Sequence, residues 1–349
     1  MRYRFLLLAA SLFSFTVSAQ KFEWKAGLFN FFDNTEFLNS SYAIPQTMAG
    51  VRFSPEIGWG IDSVHHLRVG IDVLKEYGSR HFQDGYTPTA YYLYDCKPFR
   101  FYMGAFPRGG LLDAFPKAFF QDSIRYYRPN LTGLLWWYQG KQFDAKVFLD
   151  WTGRQTRTDH EAFLTGGLLL YRPSVFFAEF QTYLFHYAGS GNVRGVRENA
   201  MAHAAIGLDL TSLTRLDTLS FRIGYLSGLD RNRNASLNWD LRNGLLAEAQ
   251  VGYKNLGLKS SAYFGEGLMA DYSSMGSTLY WGDPFYRGNF YNRTDLFYDF
   301  FESPFVFARL MFSQHFSENQ CFFEQSLVVR IAFEQKSKKF AFKTFYGKK

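Results

Sequence analysis

Apolar and polar side chains alternate along most of this chain, in segments of about ten residues. In the segment 143–151, the apolar positions on one face are Phe143, Ala145, Val147, Leu149 and Trp151. The charged positions on the opposite face are Asp144, Lys146 and Asp150. A β-strand has a side-chain period of two, so this pattern predicts strands with one apolar and one polar face.

The alternation recurs often enough to predict sixteen strands. They lie at about 21–32, 47–59, 66–76, 89–96, 99–108, 131–139, 142–152, 162–171, 175–187, 201–211, 218–228, 244–254, 256–266, 291–300, 304–315 and 321–334. The segment from Gln335 to Lys349 could be an extra strand, a periplasmic tail or the true closing strand. Fourteen and eighteen strands are therefore the alternatives.

Long connections follow the odd-numbered strands, and short connections follow the even-numbered strands. The long ones are 33–46, 77–88, 109–130, 153–161, 188–200, 229–243 and 267–290. The short ones are 97–98, 140–141, 172–174, 255 and 302–303. Bacterial outer-membrane barrels have short periplasmic turns and longer extracellular loops, so both termini are predicted to be periplasmic.

The N-terminus predicts export. Two arginines precede an apolar run that ends in small residues before Gln20, which is the layout of a cleavable signal peptide. We expect a signal peptide at 1–19 and a single barrel domain at 20–349. No later segment has the roughly 20 uninterrupted apolar residues of a membrane helix. The fold predicted is an all-β, antiparallel, up-and-down transmembrane barrel in the cell outer membrane, with an exported soluble β protein as the alternative.

Charged residues fall on the strand faces opposite the apolar ones. A charge on the lipid face near the membrane midplane costs up to about 2–4 kcal/mol, so these residues are predicted to line the lumen. The predicted pore-lining residues are Arg52, Arg68, Asp72, Arg100, Asp144, Lys146, Asp150, Glu179, Arg222, Glu248, Lys259, Arg293, Asp295, Asp299, Arg309, Glu324 and Arg330.

The composition agrees with a barrel and disfavours nucleic acid as a partner. Aromatic residues make up 20% of the chain, which suits aromatic girdles at the two membrane interfaces. Loss of Arg2 and Arg4 with the signal peptide lowers the formal net charge from +7 to +5, with no run of basic residues. Cys96 and Cys321 lie in predicted strands far apart, so both are predicted to be free thiols.

Signal peptide, sixteen strands, short inner turns and long outer loops together resemble the porin-like class of Gram-negative outer-membrane barrels. The resemblance covers the whole mature chain and implies a passive or weakly selective diffusion channel, which often trimerises. Sixteen strands leave an aqueous lumen. We therefore predict a channel for small polar solutes, surrounded by outer-membrane lipid and lipopolysaccharide, with a homo-oligomer as a possible assembly.

In porins of this kind the third outer loop often folds into the lumen, and the matching loop here is Gly109 to Asn130. Its charged residues are Asp113, Lys117, Asp122, Arg125 and Arg128. The hypothesis is that this loop, with lumenal Arg68 and Arg100, forms the constriction of the channel. The alternative is a surface lid that touches nothing inside.

Motifs for chemistry are missing. There is no Gly-x-Ser-x-Gly, and His160-Glu161 is not followed by a second histidine at metal-binding spacing. We therefore predict no catalytic residue, no metal, no cofactor and no enzyme, and expect His65 and His66 to be solvated turn residues. A hydrolase whose residues converge from several strands is the less favoured alternative, with Asp295, Asp299, His203 and Ser313 as its candidates.

A closed surface barrel for ligand binding or assembly is the main alternative to a channel. Charges that share a face of one strand could form salt bridges and plug the interior. The candidate pairs are Arg68 with Asp72, and Lys146 with Asp144 and Asp150.

Overall fold

Sixteen antiparallel strands pair in sequence order, and β1 closes the ring by pairing with β16. The structure is a computed structural model that describes residues 21–335, so the predicted signal peptide and the tail beyond Gln335 lie outside the described residues. The strands are β1 (Lys21–Glu36), β2 (Gln46–Gly60), β3 (His65–Glu76), β4 (Gly85–Cys96), β5 (Phe99–Pro107), β6 (Asn130–Gln139), β7 (Phe143–Gly153), β8 (Ala162–Tyr171), β9 (Phe176–Ala188), β10 (Val196–Asp209), β11 (Thr218–Asn232), β12 (Asp240–Tyr253), β13 (Leu256–Gly265), β14 (Phe290–Glu302), β15 (Val306–Ser317) and β16 (Gln320–Glu334).

Helical structure is confined to the connections. Helices α1 (Ser123–Tyr127) and α2 (Tyr272–Met275) are accompanied by 3₁₀ turns at Thr211–Leu213, Gly276–Thr278 and Pro284–Arg287. No helix within residues 21–335 is long and apolar enough to span a membrane.

The sixteen predicted strands are confirmed, and several are longer than the alternation suggests. β10 begins at Val196, ahead of the predicted start at 201. The first residues of this strand include Arg197-Glu198-Asn199, which are polar on both faces. The alternation of apolar and polar side chains is therefore absent there. The backbone ladder continues because β9 and β11 are still present on both sides.

Connections divide the barrel into a long-loop end and a short-turn end. Loops L1 (37–45), L2 (77–84), L3 (108–129), L4 (154–161), L5 (189–195), L6 (233–239) and L7 (266–289) lie at the long-loop end. The link between β15 and β16 at this end is only Glu318-Asn319. Both residues have positive φ, the geometry of a tight two-residue hairpin turn.

Strand register determines which side chains point inward. On β11, Phe221, Ile223 and Tyr225 are about half exposed on the outer face, whereas Arg222 and Leu226 are buried on the inner face. The same alternation places all seventeen predicted pore-lining residues on the inward face of the barrel.

L3 folds into the barrel and crosses it. At one side Tyr126 stacks on Phe31 of β1, with ring centroids 4.5 Å apart. At the opposite side Phe119 meets Tyr183 of β9 edge-on at 5.3 Å. Because β1 and β9 face each other across a ring of sixteen strands, L3 spans the full width of the interior. Complete burial of a phenylalanine such as Phe119 contributes about 1.5–3 kcal/mol.

L7 lies against L3 and fills the remaining space at the long-loop end. The backbone N–H of Gln121 donates to the carbonyl of Trp281 at 2.8 Å, and the N–H of Asp283 donates to the carbonyl of Lys117 at 2.8 Å. The Arg128 guanidinium lies 4.4 Å from the centre of the Trp281 ring. The two loops therefore form one apolar core inside the barrel wall.

The short-turn half has a different interior. Its inward residues Arg100, Lys259 and Arg330 are partly buried, whereas Leu168, Leu170 and Phe177 are less than one-tenth exposed, so charged and apolar side chains share this half. His66 does not behave as a solvated turn residue. It is fully buried, with Nδ1 3.0 Å from Glu23 Oε1.

Gly282 tests the contact between L3 and L7. A Cβ at this position would lie 1.8 Å from the carbonyl oxygen of Ala118, so Gly282→Ala must push the two loops apart. We expect trypsin to cleave folded Gly282→Ala protein after Lys117 at least tenfold faster than the wild type. Gly109→Ala is the matched control, since a Cβ there meets nothing within 4 Å. Equal cleavage rates in the two variants would contradict the packing described.

Candidate functional site

Four neighbouring strands, β14, β15, β16 and β1, direct charged side chains toward L3 and L7. We name this group the carboxylate–histidine cluster, and its members are Asp33, Asp122, Asp283, Arg293, Asp295, His315 and Glu324. All except Asp122 are less than one-tenth exposed. Buried charge in such density is costly to the fold, which makes this the leading candidate for a functional site.

Register explains why these residues meet. Arg293 of β14 pairs with His315 of β15, and Asp295 pairs with Ser313. Ser313 in turn pairs with Glu324 of β16. Inward residues two apart on each strand therefore stack into one patch, to which L3 adds Asp122 and L7 adds Asp283.

Arg293 holds the cluster together. Its Nε donates to Asp295 Oδ1 at 2.7 Å, and its other nitrogens lie 3.1 Å from Asp122 Oδ2 and 3.5 Å from Glu324 Oε2. It also donates to Ser313 Oγ at 3.3 Å. One guanidinium thus links a strand pair, the closing strand and the loop that crosses the barrel.

A hydrogen-bonded chain runs from Asp283 to Glu324. Tyr291 Oη donates to Asp283 Oδ2 at 2.7 Å and lies 2.7 Å from His315 Nδ1, while His315 Nε2 lies 3.0 Å from Glu324 Oε2. If both carboxylates are ionised, His315 must carry two protons to satisfy all three contacts. If His315 is neutral, one carboxyl must hold the proton. The three contacts therefore need one proton more than a neutral imidazole and two ionised carboxylates carry.

The charge of the cluster does not balance. Five carboxylates face Arg293 and Lys117, which pairs with Asp122, so the formal sum is −5 + 2 = −3 with neutral His315. Asp33 Oδ1 and Glu324 Oε1 are buried and accept no hydrogen bond within the described chain. No group of three His, Cys, Asp or Glu residues in 21–335 has metal-binding geometry.

Asp122 fastens L3 to this patch. Burial raises the pKa of its carboxyl, but the charges of Lys117 and Arg293 outweigh burial and hold the pKa well below its ordinary value. A depressed carboxyl pKa contributes stability above the unfolded-state value, and the contribution is lost only as the pH falls through the lowered value. The contact therefore stays ionised at neutral and mildly acidic pH.

A groove of about 730 Å³, here the rim groove, opens beside the cluster at the long-loop end. Its lining includes Asn34, Thr47, Cys321 and Phe322. Asn34 faces outward, where its side chain accepts from Thr47 Oγ1 at 2.7 Å and donates to Gln325 at 2.8 Å. Polar side chains here interrupt the apolar outer wall.

Two phenylalanines separate the rim groove from the histidine. Phe37 of L1 lies edge-on to His315, with ring centroids 5.0 Å apart, and also contacts Phe322. His315 itself is 1% exposed. Movement of Phe37 would connect the groove with the proton-carrying chain.

The residues predicted for a constriction are divided by the structure. The charged side chains of L3, namely Asp113, Lys117, Asp122, Arg125 and Arg128, all lie on a loop inside the barrel. Arg68 and Arg100 do not join them. Arg68 pairs with Glu23 and Glu334, and Arg100 pairs with Asp95, all at the short-turn end.

The charge pairs proposed to plug the interior also form differently. Asp72 pairs with Arg52 rather than Arg68, and Lys146 Nζ donates to the carbonyl of Leu111 in L3 at 2.8 Å. Elsewhere, Arg222 bridges Glu179 and Glu248, and Arg309 pairs with Asp299. At these positions partners on neighbouring strands or in L3 replace the predicted same-strand partners.

The four candidates for a hydrolase are only half assembled. Asp295 and Ser313 lie together in the cluster. His203 lies across the barrel against Glu179 and Gln181, and Asp299 lies lower on β14 beside Arg309. His315 and Asp283 were missed. The tight Glu318-Asn319 turn is a usable signal, since counting back from it pairs Ser313 with Glu324.

Comparisons with known proteins agree with an outer-membrane barrel. A sequence profile of the family described as lipid A 3'-O-deacylase-type matches residues 16–345. No curated protein matches the chain. The barrel is similar to a loop L8 deletion mutant of OmpT, an outer membrane protein of Vibrio cholerae, with a TM-score of 0.54 at 8% identity over 90% of this chain and 100% of that chain.

Other similar structures are outer-membrane proteins of Pseudomonas aeruginosa. OpdK has a TM-score of 0.49 at 10% identity over 90% of this chain and 99% of its own. OccK11 (OpdR) has a TM-score of 0.49 at 11% identity over 90% of this chain and 96% of its own. The predicted class, a porin-like outer-membrane β-barrel, is confirmed.

The prediction that the chain is not an enzyme is wrong. The profile match covers nearly the whole chain and belongs to an enzyme family. Local sequence motifs do not reveal an enzyme of this kind, because side chains that meet inside a barrel come from separate strands and loops. The hydrogen-bonded residues Asp283, Tyr291, His315 and Glu324 are an example.

Replacing Arg293 tests whether it balances the cluster. Arg293→Met leaves Asp122, Asp295 and Glu324 without their shared cation, so we expect a loss of about 3–5 kcal/mol in the free energy of unfolding. The measurement is urea unfolding in lipid vesicles. Arg125→Met is the control, because its pair with Asp113 is about two-fifths exposed and is worth less than about 1 kcal/mol. A smaller loss for Arg293 than for Arg125 would refute its central role.

Proposed function

Because the chain belongs to the lipid A 3'-O-deacylase-type family, we propose that it hydrolyses an ester-linked acyl chain of lipid A in the outer membrane. The observation that carries the proposal is the proton-holding chain from Asp283 to Glu324 directly behind the rim groove. Together they supply an acid–base pair and a route to it from the membrane side.

The rim groove has the position that a lipid substrate requires. The acyl chains of a membrane lipid stay in the bilayer, so an enzyme must receive the ester bond from the side of its wall. At the long-loop end the groove is open on the outer face, and its polar residues Asn34 and Thr47 can hydrogen-bond a sugar or an ester carbonyl. Leu38 and Phe322 give the same groove apolar surface for an acyl chain.

His315 is the proposed general base. With Phe37 displaced, a water molecule beside the Tyr291 hydroxyl attacks the ester carbonyl. Its proton passes through that hydroxyl to His315 Nδ1, while the Glu324 carboxylate on Nε2 stabilises the charge that forms on the imidazole. The carbon–oxygen bond to the sugar then breaks. The sugar oxygen takes the proton back from the imidazole, and the products are a free fatty acid and a sugar hydroxyl.

Tyr291 relays the proton in this scheme, and Asp283 is a positioning residue. The tyrosine hydroxyl holds His315 Nδ1 at 2.7 Å and is itself held by Asp283, which sets the orientation of the imidazole. Arg293 keeps Glu324 in place from the other side. Loss of such support disturbs the geometry of the base while leaving it present.

His315→Gln tests the proposed base. We expect release of fatty acid from purified lipid A to fall by about 10²–10⁴-fold, because a general base contributes that much. The measurement is mass spectrometry of lipid A after incubation with the protein in detergent. His203→Gln is the matched control, since His203 is an equally buried inward histidine on β10, five strands away from β15.

The two variants separate catalysis from folding. Both must show the heat-dependent gel mobility of a folded barrel. Activity that survives in His315→Gln, or that falls equally in His203→Gln, would refute the assignment.

Diffusion of small polar solutes, as predicted from the sequence, is the second candidate function, and the crossing of L3 weighs against it. A route along the interior would have to pass L3, which spans it from Phe31 to Tyr183, and L7, which packs above. We expect the wild type to give no large stable conductance steps in a planar bilayer, and deletion of 111–127 to produce them. Large steps from the wild type that the deletion leaves unchanged would instead support an open channel beside L3.

A further inference from the structure

A second groove lies farther round the barrel wall, where β13 separates it from β14 of the carboxylate–histidine cluster. It has a volume of about 530 Å³ and lies on the outer face of β9 to β12. Ala178 and Ala204 form its floor, and the larger side chains of Ile206, Ile223 and Tyr225 stand around them. We name it the wall groove. Its surface is almost entirely apolar, as expected for a site that faces acyl chains.

Charged residues lie on the same strands at the long-loop end. Glu198 of β10 shares the outward face with Ala204 and is 2% exposed. It accepts hydrogen bonds from Arg231 at 2.6 Å and from Arg233 at 3.0 Å. Arg231 also lies over the ring of Trp239 at 4.2 Å. A buried carboxylate thus holds two guanidiniums side by side above the groove.

Three further arginines lie on the adjoining loops. Arg154, Arg157 and Arg194 are exposed, and none forms an ion pair with another residue of the described chain. L4 and L5 are joined by hydrogen bonds from Gly191 and Asn192 to backbone carbonyls of L4 at 2.8 and 3.0 Å. The five arginines carry five positive charges, and Glu198, Asp159 and Glu161 carry three negative ones. The formal net charge of this surface is therefore 5 − 3 = +2. Its free guanidiniums favour an anionic partner.

Arginines and groove are separated by the depth of one membrane leaflet. From Tyr225 to Arg231 the strand rises six residues, or about 20 Å at roughly 3.3 Å per residue. A strand tilt of about 40° reduces this to a depth of about 15 Å, half of the roughly 30 Å hydrocarbon core. Trp239 beside Arg231 is the residue type found at the membrane–water interface.

We propose that this face binds one phosphorylated, multiply acylated glycolipid of the leaflet at the long-loop end. Its phosphate contacts Arg231 and Arg233, and one acyl chain lies in the wall groove. A second copy of the chain fits less well, because a symmetric contact would bring the same arginines against each other. The inference stands on β9 to β12 and does not depend on the proposed hydrolysis.

The test measures lipid retention by native mass spectrometry. Delipidated protein carrying His315→Gln, so that turnover cannot alter the lipid, is mixed with diphosphorylated lipid A or with its dephosphorylated form. We expect the diphosphorylated form to bind at least tenfold more tightly. Arg233→Gln should weaken binding of the diphosphorylated form about tenfold, as expected for loss of a charge-assisted hydrogen bond. Arg233→Lys should restore part of this affinity.

Ala204→Leu tests the groove separately, because a larger outward side chain fills it without touching the interior. We expect it to weaken lipid A binding while leaving any binding of inorganic phosphate unchanged. Lys141→Gln, an equal loss of charge at the short-turn end, should change neither. Equal binding of both lipid forms, no effect of Arg233→Gln, or a dimer that Ala204→Leu dissociates would each overturn the proposal.

Discussion

Closure of the β1–β16 pair is the constraint on which the rest of the structure depends. A membrane offers no water to unpaired backbone groups, so a sheet within it must have no edge. The register that closes the ring also places Asp33 of β1 beside the inward residues of β16. A cluster that contains residues from both ends of the chain therefore exists only in the closed barrel, and folding and assembly of the site are the same event.

The crossing of L3 divides the interior into two unlike compartments. Above it, aromatic side chains and backbone hydrogen bonds to Trp281 and Lys117 make a core like that of a soluble protein. Below it, buried apolar side chains such as Leu168 and Phe177 share the interior with partly exposed charges such as Lys259 and Arg330. A barrel of porin-like architecture thereby becomes a frame that holds two loops, and the proposed hydrolysis is placed at its rim.

Strand number, faces and alternation of loops could be predicted because each follows from a local period in the sequence. The inward direction of Arg222 and Glu248, for example, requires only counting by twos. The partners of those charges could not be predicted, since Arg68 pairs with Glu334 at the other end of the chain. His315 was equally hidden: its role depends on Asp283, which reaches it from a loop that alternation does not describe.

The two-residue turn Glu318-Asn319 has a consequence for access to the rim groove from the side of the barrel. The other connections at that end, L1 to L7, are all longer. Among the described residues, the rim of the barrel is therefore lowest between β15 and β16. The drop lies beside Cys321 and Phe322, in the lining of the rim groove. Under the proposed function, with the long-loop end at the cell surface, the lipid substrate reaches the rim groove sideways through this gap and stays within its leaflet.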